Sequence, residues 1–215
     1  MKVFDFHSHA ADAPVVTLTP ELYTANATRP CTVGIHPWLT ASATPADLDT
    51  LRRAALDPAV AAIGEIGLDR LRGAAMTVQE EILEAQLRIA SEADKPVVLH
   101  IVRAFDRLEA VRKRLGPAMP VAAIHAFRGN AALARQLTAT GLLLSIGPKF
   151  NAEAVRAIPD TKLLIETDTE ANLPEGNPGA VLQAVAQARG NGIEALATTV
   201  NANFRRFYGS AVAEL

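Results

Sequence analysis

The sequence predicts an α/β protein, a TIM-like (β/α)8 barrel that is compact or distorted near its first crossover. Two observations point there. Short apolar runs of strand length alternate with helix-period segments, the pattern of a parallel sheet wrapped by helices. The five histidines, with Glu65 and Asp168, stand at or near the C-terminal ends of those runs, where parallel α/β proteins gather metals and substrates. At 215 residues, one such barrel takes the whole length. No linker, repeat or low-complexity segment interrupts it, so residues 1–215 are expected to form a single domain.

Strands are expected at Lys2–His7, Val15–Leu18, Cys31–His36, Ala61–Leu68, Val97–Val102, Val121–Phe127, Leu142–Ile146 and Lys162–Thr167. The helices are equally marked. Thr44 and Pro45 read as N-cap and first helical residue of a helix through Leu56, because proline loses nothing at that position. Thr77 and Glu80 form an expected capping box ahead of the apolar stripe Ile82, Leu83, Leu87 and Ile89. Further helices are expected over Ala104–Leu115, Asn130–Thr140, Ala152–Ala157, Gly179–Arg189 and Ile193–Phe207. Pro96, Pro120 and Pro159 precede strands, where helix must end. Only 21 residues separate His9 from Cys31, and they include Pro14, Pro20 and Pro30. That first crossover is therefore expected to be an irregular loop.

Composition narrows the function classes. A formal charge of −2 gives no global electrostatic footprint for nucleic acid, although it leaves room for a locally basic cleft. The single Cys31 makes no internal disulfide and no cysteine-based zinc site, which fits a reducing cytoplasm. Met-Lys-Val-Phe-Asp opens straight into a strand without the apolar region of a signal peptide. The longest apolar runs fall short of membrane-spanning length. The expectation is a cytoplasmic protein with no membrane association and no obligate protein partner.

The chemistry lies in the strand ends. His7 and His9 form an HxH pair, and alternate strand residues point the same way, so both imidazoles reach one ion. Glu65 lies within an apolar run between Gly64 and Gly67, where a carboxylate needs a cation or hydrogen-bond donors. His100 and His125 each end a strand-like run, and Asp168 takes the same place on the last. An aspartate touching both a metal and the attacking water also accepts that water's proton. Arg103, Arg128 and Lys149 follow strand ends and would neutralise a phosphate.

The ordered motifs Asp5-Phe6-His7-Ser8-His9, Val33-Gly34-Ile35-His36-Pro37, Ile63-Gly64-Glu65-Ile66-Gly67-Leu68-Asp69, Pro96-Val97-Val98-Leu99-His100, Ile124-His125-Ala126-Phe127, Leu164-Ile165-Glu166-Thr167-Asp168 and Asn201-Ala202-Asn203-Phe204 resemble the TatD family of metal-dependent hydrolases. The resemblance spans almost the whole chain. It implies an amidohydrolase-like barrel with one or two divalent metals and deoxyribonuclease or phosphoesterase activity. By position, His7, His9 and Asp168 would hold the first metal, His100 and His125 the second, and Glu65 would bridge them. Asp168 and Glu65 would be the catalytic carboxylates, and His36 would lie near substrate. The mixed imidazole and carboxylate set favours zinc or manganese over magnesium. The implied reaction is phosphodiester hydrolysis, 3′-to-5′ on DNA. A small amide, ester or phosphoester substrate and a non-catalytic binding barrel are the alternatives.

The chain departs from the family pattern in places. The His9–Val33 segment is short, and Arg70-Leu71 stand where aromatics are common. Arg128-Gly129-Asn130 replaces Ser-Gly-Ser. Thr169-Glu170-Ala171-Asn172 replaces a Ser-Pro-aromatic run, and Glu175-Gly176-Asn177-Pro178 lacks an expected arginine. Binders of single-stranded nucleic acid commonly offer aromatic stacking surfaces, and only 5% of this chain is aromatic.

Overall fold

The apolar runs that end on candidate ligands become parallel strands, except Lys2–His7, which is bonded to the last strand and the residues after it without forming a regular strand. The computed structural model describes residues 2–25, 28–170 and 176–215. The chain divides into two compact units, residues 17–122 and residues 1–16 with 123–215.

The 17–122 unit contains β1 (Val16–Leu18, begun one residue earlier), β2 (Cys31–Val33), α1 (Pro45–Ala55), β3 (Val60–Asp69), α2 (Met76–Glu92), β4 (Val97–Val102) and α3 (Phe105–Leu115). β2 pairs parallel with β3, and β3 with β4. All ten residues of β3 are buried, which explains its unbroken apolar run. α2 covers this sheet with Leu83, Leu87 and Ala90. α1 starts as expected: Thr44 is its N-cap, and a capping box with Asp47 closes the end.

The Thr77–Glu80 capping box does not form. α2 begins at Met76 with Ala75 as N-cap. Glu80 is buried and committed elsewhere, to Arg107 Nε and, at 3.3 Å, to Arg114 Nη2. A buried carboxylate gains more from two guanidinium partners than from one backbone N–H.

The second unit contains β5 (Ala122–Ile124, begun one residue earlier), α4 (Ala131–Ala139), β6 (Leu143–Ile146), α5 (Ala152–Ala157), β7 (Leu163–Ile165), α6 (Pro178–Arg189) and α7 (Ile193–Tyr208). β5 pairs parallel with β6, and β6 with β7. The expected strand Lys2–His7 does not form a regular strand. Phe6 N–H donates to Ile165 O and Asp168 N–H to His7 O, at 2.9 and 3.1 Å. Between them Thr167 N–H turns to the Asp5 carboxylate at 2.9 Å, so a side chain takes a donor that a ladder would use.

α7 holds this N-terminal segment. Phe4 stacks on Phe204, and Phe6 lies against Phe207 and Tyr208. Tyr208 Oη donates to Phe6 O at 2.7 Å. Asn201 bonds Phe4 N–H and Lys2 O, while Asn203 Nδ2 donates to Asp160 O and Leu163 O. The closing Asn-Ala-Asn-Phe motif is a structural clasp. Among the described residues no helix is long and apolar enough to cross a membrane, and residues 10–15, 19–25 and 28–30 of the first crossover contain none.

Candidate metal centre

In the 17–122 unit the site grows from β3. Glu65 is only 3% exposed, so its charge needs compensation. Its Oε1 lies 2.7 Å from His100 Nδ1 and 3.2 Å from His36 Nε2. The flanking glycines are set by β4. A Cβ on Gly64 would stand 2.7 Å from Val98 Cβ, and one on Gly67 would stand 1.9 Å from His100 O. The Gly64–Glu65 peptide is cis.

His36 caps the 3-10 turn Pro37–Leu39, its Nδ1 accepting from Trp38 N–H at 3.2 Å. An accepting Nδ1 carries no proton, so neutral His36 donates Nε2–H to Glu65. His36 thereby orients the carboxylate. His100 is oriented in turn, with Nε2 3.2 Å from Asp69 Oδ2. Asp69 also accepts from Trp38 Nε1–H at 2.7 Å and from Leu71 N–H at 2.8 Å. Burial opposes the Asp69 charge, but the bonds from Trp38, Leu71 and His100 outweigh it and hold the carboxyl below its usual range. Both ring nitrogens of His100 thus meet carboxylate oxygens, Nδ1 that of Glu65 and Nε2 that of Asp69.

Two glutamines on the buried face of α2 complete this half. Gln86 accepts from Ile35 N–H at 2.7 Å and donates to Ile35 O at 3.1 Å, fixing the backbone before His36. Gln79 accepts from Asp69 N–H and donates to the carbonyls of Asp69, Arg72 and Ala74.

In the other unit His7 and Asp168 are joined through the backbone by the Asp168 N–H to His7 O bond, and His9 N–H donates to Thr169 O at 2.8 Å. Asp168 adopts φ 54°, a left-handed conformation that aspartate tolerates better than most residues. Its Oδ1 is 3.8 Å from His7 Nε2 and 4.0 Å from His9 Nε2. The His7 and His125 rings are 4.5 Å apart. Behind them Glu166 is wholly buried, accepting from Ala126 N–H at 2.5 Å with Oε1 3.5 Å from His125 Nδ1. Burial opposes its charge, and His125, His7 and Ser145 outweigh that and hold the carboxyl below its usual range.

Donor atoms of His7, His125 and Asp168 lie within 4.8 Å of one another, and so do those of His36, Glu65 and His100. Two ligands on one ion, each about 2.0–2.2 Å from it, stand at most about 4.4 Å apart. The Asp168 distances to His7 and His9 already satisfy that limit. Of the expected ligands, the structure thus groups His125 with His7 and Asp168, and His100 with Glu65. Arg103, Arg128 and Lys149 are exposed and form no ion pair among the described residues. Glu170 is exposed, while Ala171, Asn172 and Glu175 lie outside the described residues.

Asp69, Glu166, Gln79 and Gln86 carry structural roles that motif reading missed. For the glutamines a signal existed: residues 79, 83, 86, 87 and 90 share one helical face, and amides on an apolar face require partners. For Asp69 and Glu166 the signal was a carboxylate close to a ligand position, each already inside a quoted motif.

Imidazoles and carboxylates clustered at the strand ends of a parallel α/β protein are the mark of a metal-dependent hydrolase. The chain belongs to the TatD family: the sequence model of the TatD-related DNases matches residues 15–209. It is similar to the 3′-5′ ssDNA/RNA exonuclease TatD of Pantoea ananatis (strain LMG 20103), with 37% identity covering 83% of this chain and 77% of that one. Among solved structures it is similar to YJJV, a TatD homolog from Escherichia coli K12, at a TM-score of 0.76 and 23% identity, covering 90% of this chain and 85% of that chain. A TatD-family hydrolase from Entamoeba histolytica gives a TM-score of 0.72 and 18% identity, covering 92% and 85%. These likenesses show the fold, an α/β barrel of the TIM-like class. Membership of the family implies use of a divalent metal.

Proposed function

We propose that this chain is a metal-dependent phosphodiesterase that shortens single-stranded nucleic acid from the 3′ end. The carrying observation is the His7–His125–Asp168 cluster, backed by Glu166, in a chain whose relative is named a 3′-5′ ssDNA/RNA exonuclease. His7, His9, His125 and Asp168 are the donors for one cation, and Glu65 with His100 for another. Their mixed nitrogen and oxygen chemistry favours zinc or manganese, with magnesium a third candidate. When bound, such cations lower the pKa of water and polarise a phosphoryl oxygen.

The chain's own residues do the rest. Asp168, its side chain one-third exposed at 33%, accepts the proton of the attacking water. Glu65 is held in place by its contacts with His36 and His100. Arg103, Arg128 and Lys149 offer charge to the substrate phosphates, with His36 at the substrate side. The two units act as one domain, a reading supported by a single family match running through both. Cys31 as a buried thiol fits a reducing cytoplasm.

The test is hydrolysis of 5′-labelled single-stranded DNA by protein loaded with Mn²⁺ or Zn²⁺. Products shortened from the 3′ end are expected, and chelation or Asp168→Asn should abolish them, since asparagine keeps the left-handed backbone while losing the proton acceptor. Cleavage that survives both treatments overturns the mechanism. Turnover of small esters with no oligonucleotide cleavage overturns the substrate.

A further inference from the structure

Trp38 is the only tryptophan of the chain, and it is 46% exposed. A large indole kept half in solvent costs apolar hydration, and here it is also held rigidly. Its Nε1–H is bonded to Asp69 at 2.7 Å, its ring meets the His36 ring edge-on at 4.8 Å, and the His100 ring is 5.9 Å away. The open indole surface therefore stands one ring's width from the Glu65 cluster, about the reach from a phosphate to its own base.

The cation beside it is different from its neighbours. Arg72 lies over the Trp38 ring at 4.4 Å. A cavity of about 490 Å³ next to it carries three arginines on its wall, Arg70, Arg72 and Arg107. Arg70 is held by both oxygens of Asp106 at 2.7 and 2.6 Å, and Arg107 is held by Glu80. Arg72 is exposed and has no carboxylate partner among the described residues. A fixed aromatic plane with an uncommitted guanidinium stacked on it suits a flat, uncharged ring attached to an anion, which is a nucleotide.

We propose that Trp38 and Arg72 form the stacking seat for the nucleobase next to the scissile phosphate, Trp38 supplying the plane and Arg72 closing on the base or its phosphate. The proposal rests on the nuclease reading and deepens it. Stacking of this kind is indifferent to base identity, so the seat predicts a requirement for a base without a sequence preference.

Two measurements test it on the metal-loaded full chain. The first is Trp38 emission, free of other tryptophans, titrated with short phosphorothioate oligo(dT) and with the same oligomer abasic at its 3′ end. Quenching by the first and not by the second is expected. The second is the ratio of kcat/KM for oligo(dT) to that for the 3′-abasic oligomer. This ratio should fall about tenfold or more in Trp38→Leu and stay within about threefold of wild type in Trp38→Phe, which keeps a stacking plane and loses the bond to Asp69. A Trp38 that served only to support Asp69 would slow both substrates together and leave the ratio unchanged in both variants. Nuclease activity with an unchanged ratio and no base-dependent quenching overturns the seat alone. Absence of any nucleic-acid cleavage by the wild type overturns the seat together with the nuclease reading.

Discussion

Glu166→Gln isolates the support of one proposed metal ligand, His125, from the ligand itself. Glu166 is fully buried and meets the centre at His125, 3.5 Å from Nδ1, while its Oε1 also takes the Ala126 N–H. Were His125 fully charged, the Coulomb attraction at 3.5 Å would be about 4.7 kcal/mol at an effective dielectric near 20, an upper bound. For a neutral imidazole at 3.5 Å the loss is at most that of one charge-assisted hydrogen bond, about 1.5–3 kcal/mol. Expressed as binding, this is a roughly 10- to 100-fold weaker hold on a cation, the range usual for partners behind metal-bound histidines. Glutamine has nearly the same volume and retains an acceptor for Ala126 N–H, so the fold should persist. Mn²⁺ affinity is measured by competition with a chromophoric chelator, with circular dichroism and thermal melting as controls. A folded Glu166→Gln protein that holds Mn²⁺ as tightly as wild type refutes the argument that Glu166 sets the orientation of His125.

Three further perturbations follow from the same geometry. Gly67→Ala places a methyl 1.9 Å from His100 O, so loss of several kcal/mol is expected, read as a large drop in the thermal midpoint or as insoluble protein; a midpoint near wild type would contradict the packing of β3 on β4. Gln86→Leu strands both Ile35 backbone groups beneath His36, at about 1–3 kcal/mol for each unsatisfied group; chemical denaturation should show the loss, and an unchanged midpoint would argue against it. The Cys31 thiol is pushed up to about 11 by burial and by Asp57, with Lys95 opposing. At pH 8 only about one molecule in a thousand carries the thiolate, so a disulfide reagent should react slowly with the native protein and rapidly in denaturant. Fast native labelling would contradict the burial.

What the sequence makes legible here is whatever depends on local pattern. The fully buried β3 writes a continuous apolar run, and proline and asparagine at helix starts mark α1, α4 and α6 directly. The ligand candidates share strand ends, but His125 lies with His7 and Asp168, whereas the family pattern pairs it with His100. Illegible were the choices that distant residues make. Glu80 looks like a capping residue until Arg107 and Arg114, distant in sequence, claim it. Lys2–His7 looks like a strand until the Asp5 carboxylate captures a Thr167 amide. His36 reads as a residue near substrate, and only the hydrogen bond at its Nδ1 reveals that the proton lies on the nitrogen facing Glu65. Each of these outcomes is a competition for one donor or acceptor, and its winner is remote in the chain.

The clasp of α7 on the N-terminal segment sets an order of events during synthesis. His7 and His9 are made before Ile165, Asn201 and Tyr208, yet their placement relies on Tyr208, Asn201 and the strand partners around Ile165. The His36, Glu65 and His100 group lies within the continuous 17–122 unit. A nascent chain thus holds all the groups of one cluster well before the other has its anchoring residues. The His7 cluster has to wait for residues through Tyr208, so the proposed cation seat there is completed late, and loss of the last turn of α7 should silence a site assembled around residue 7.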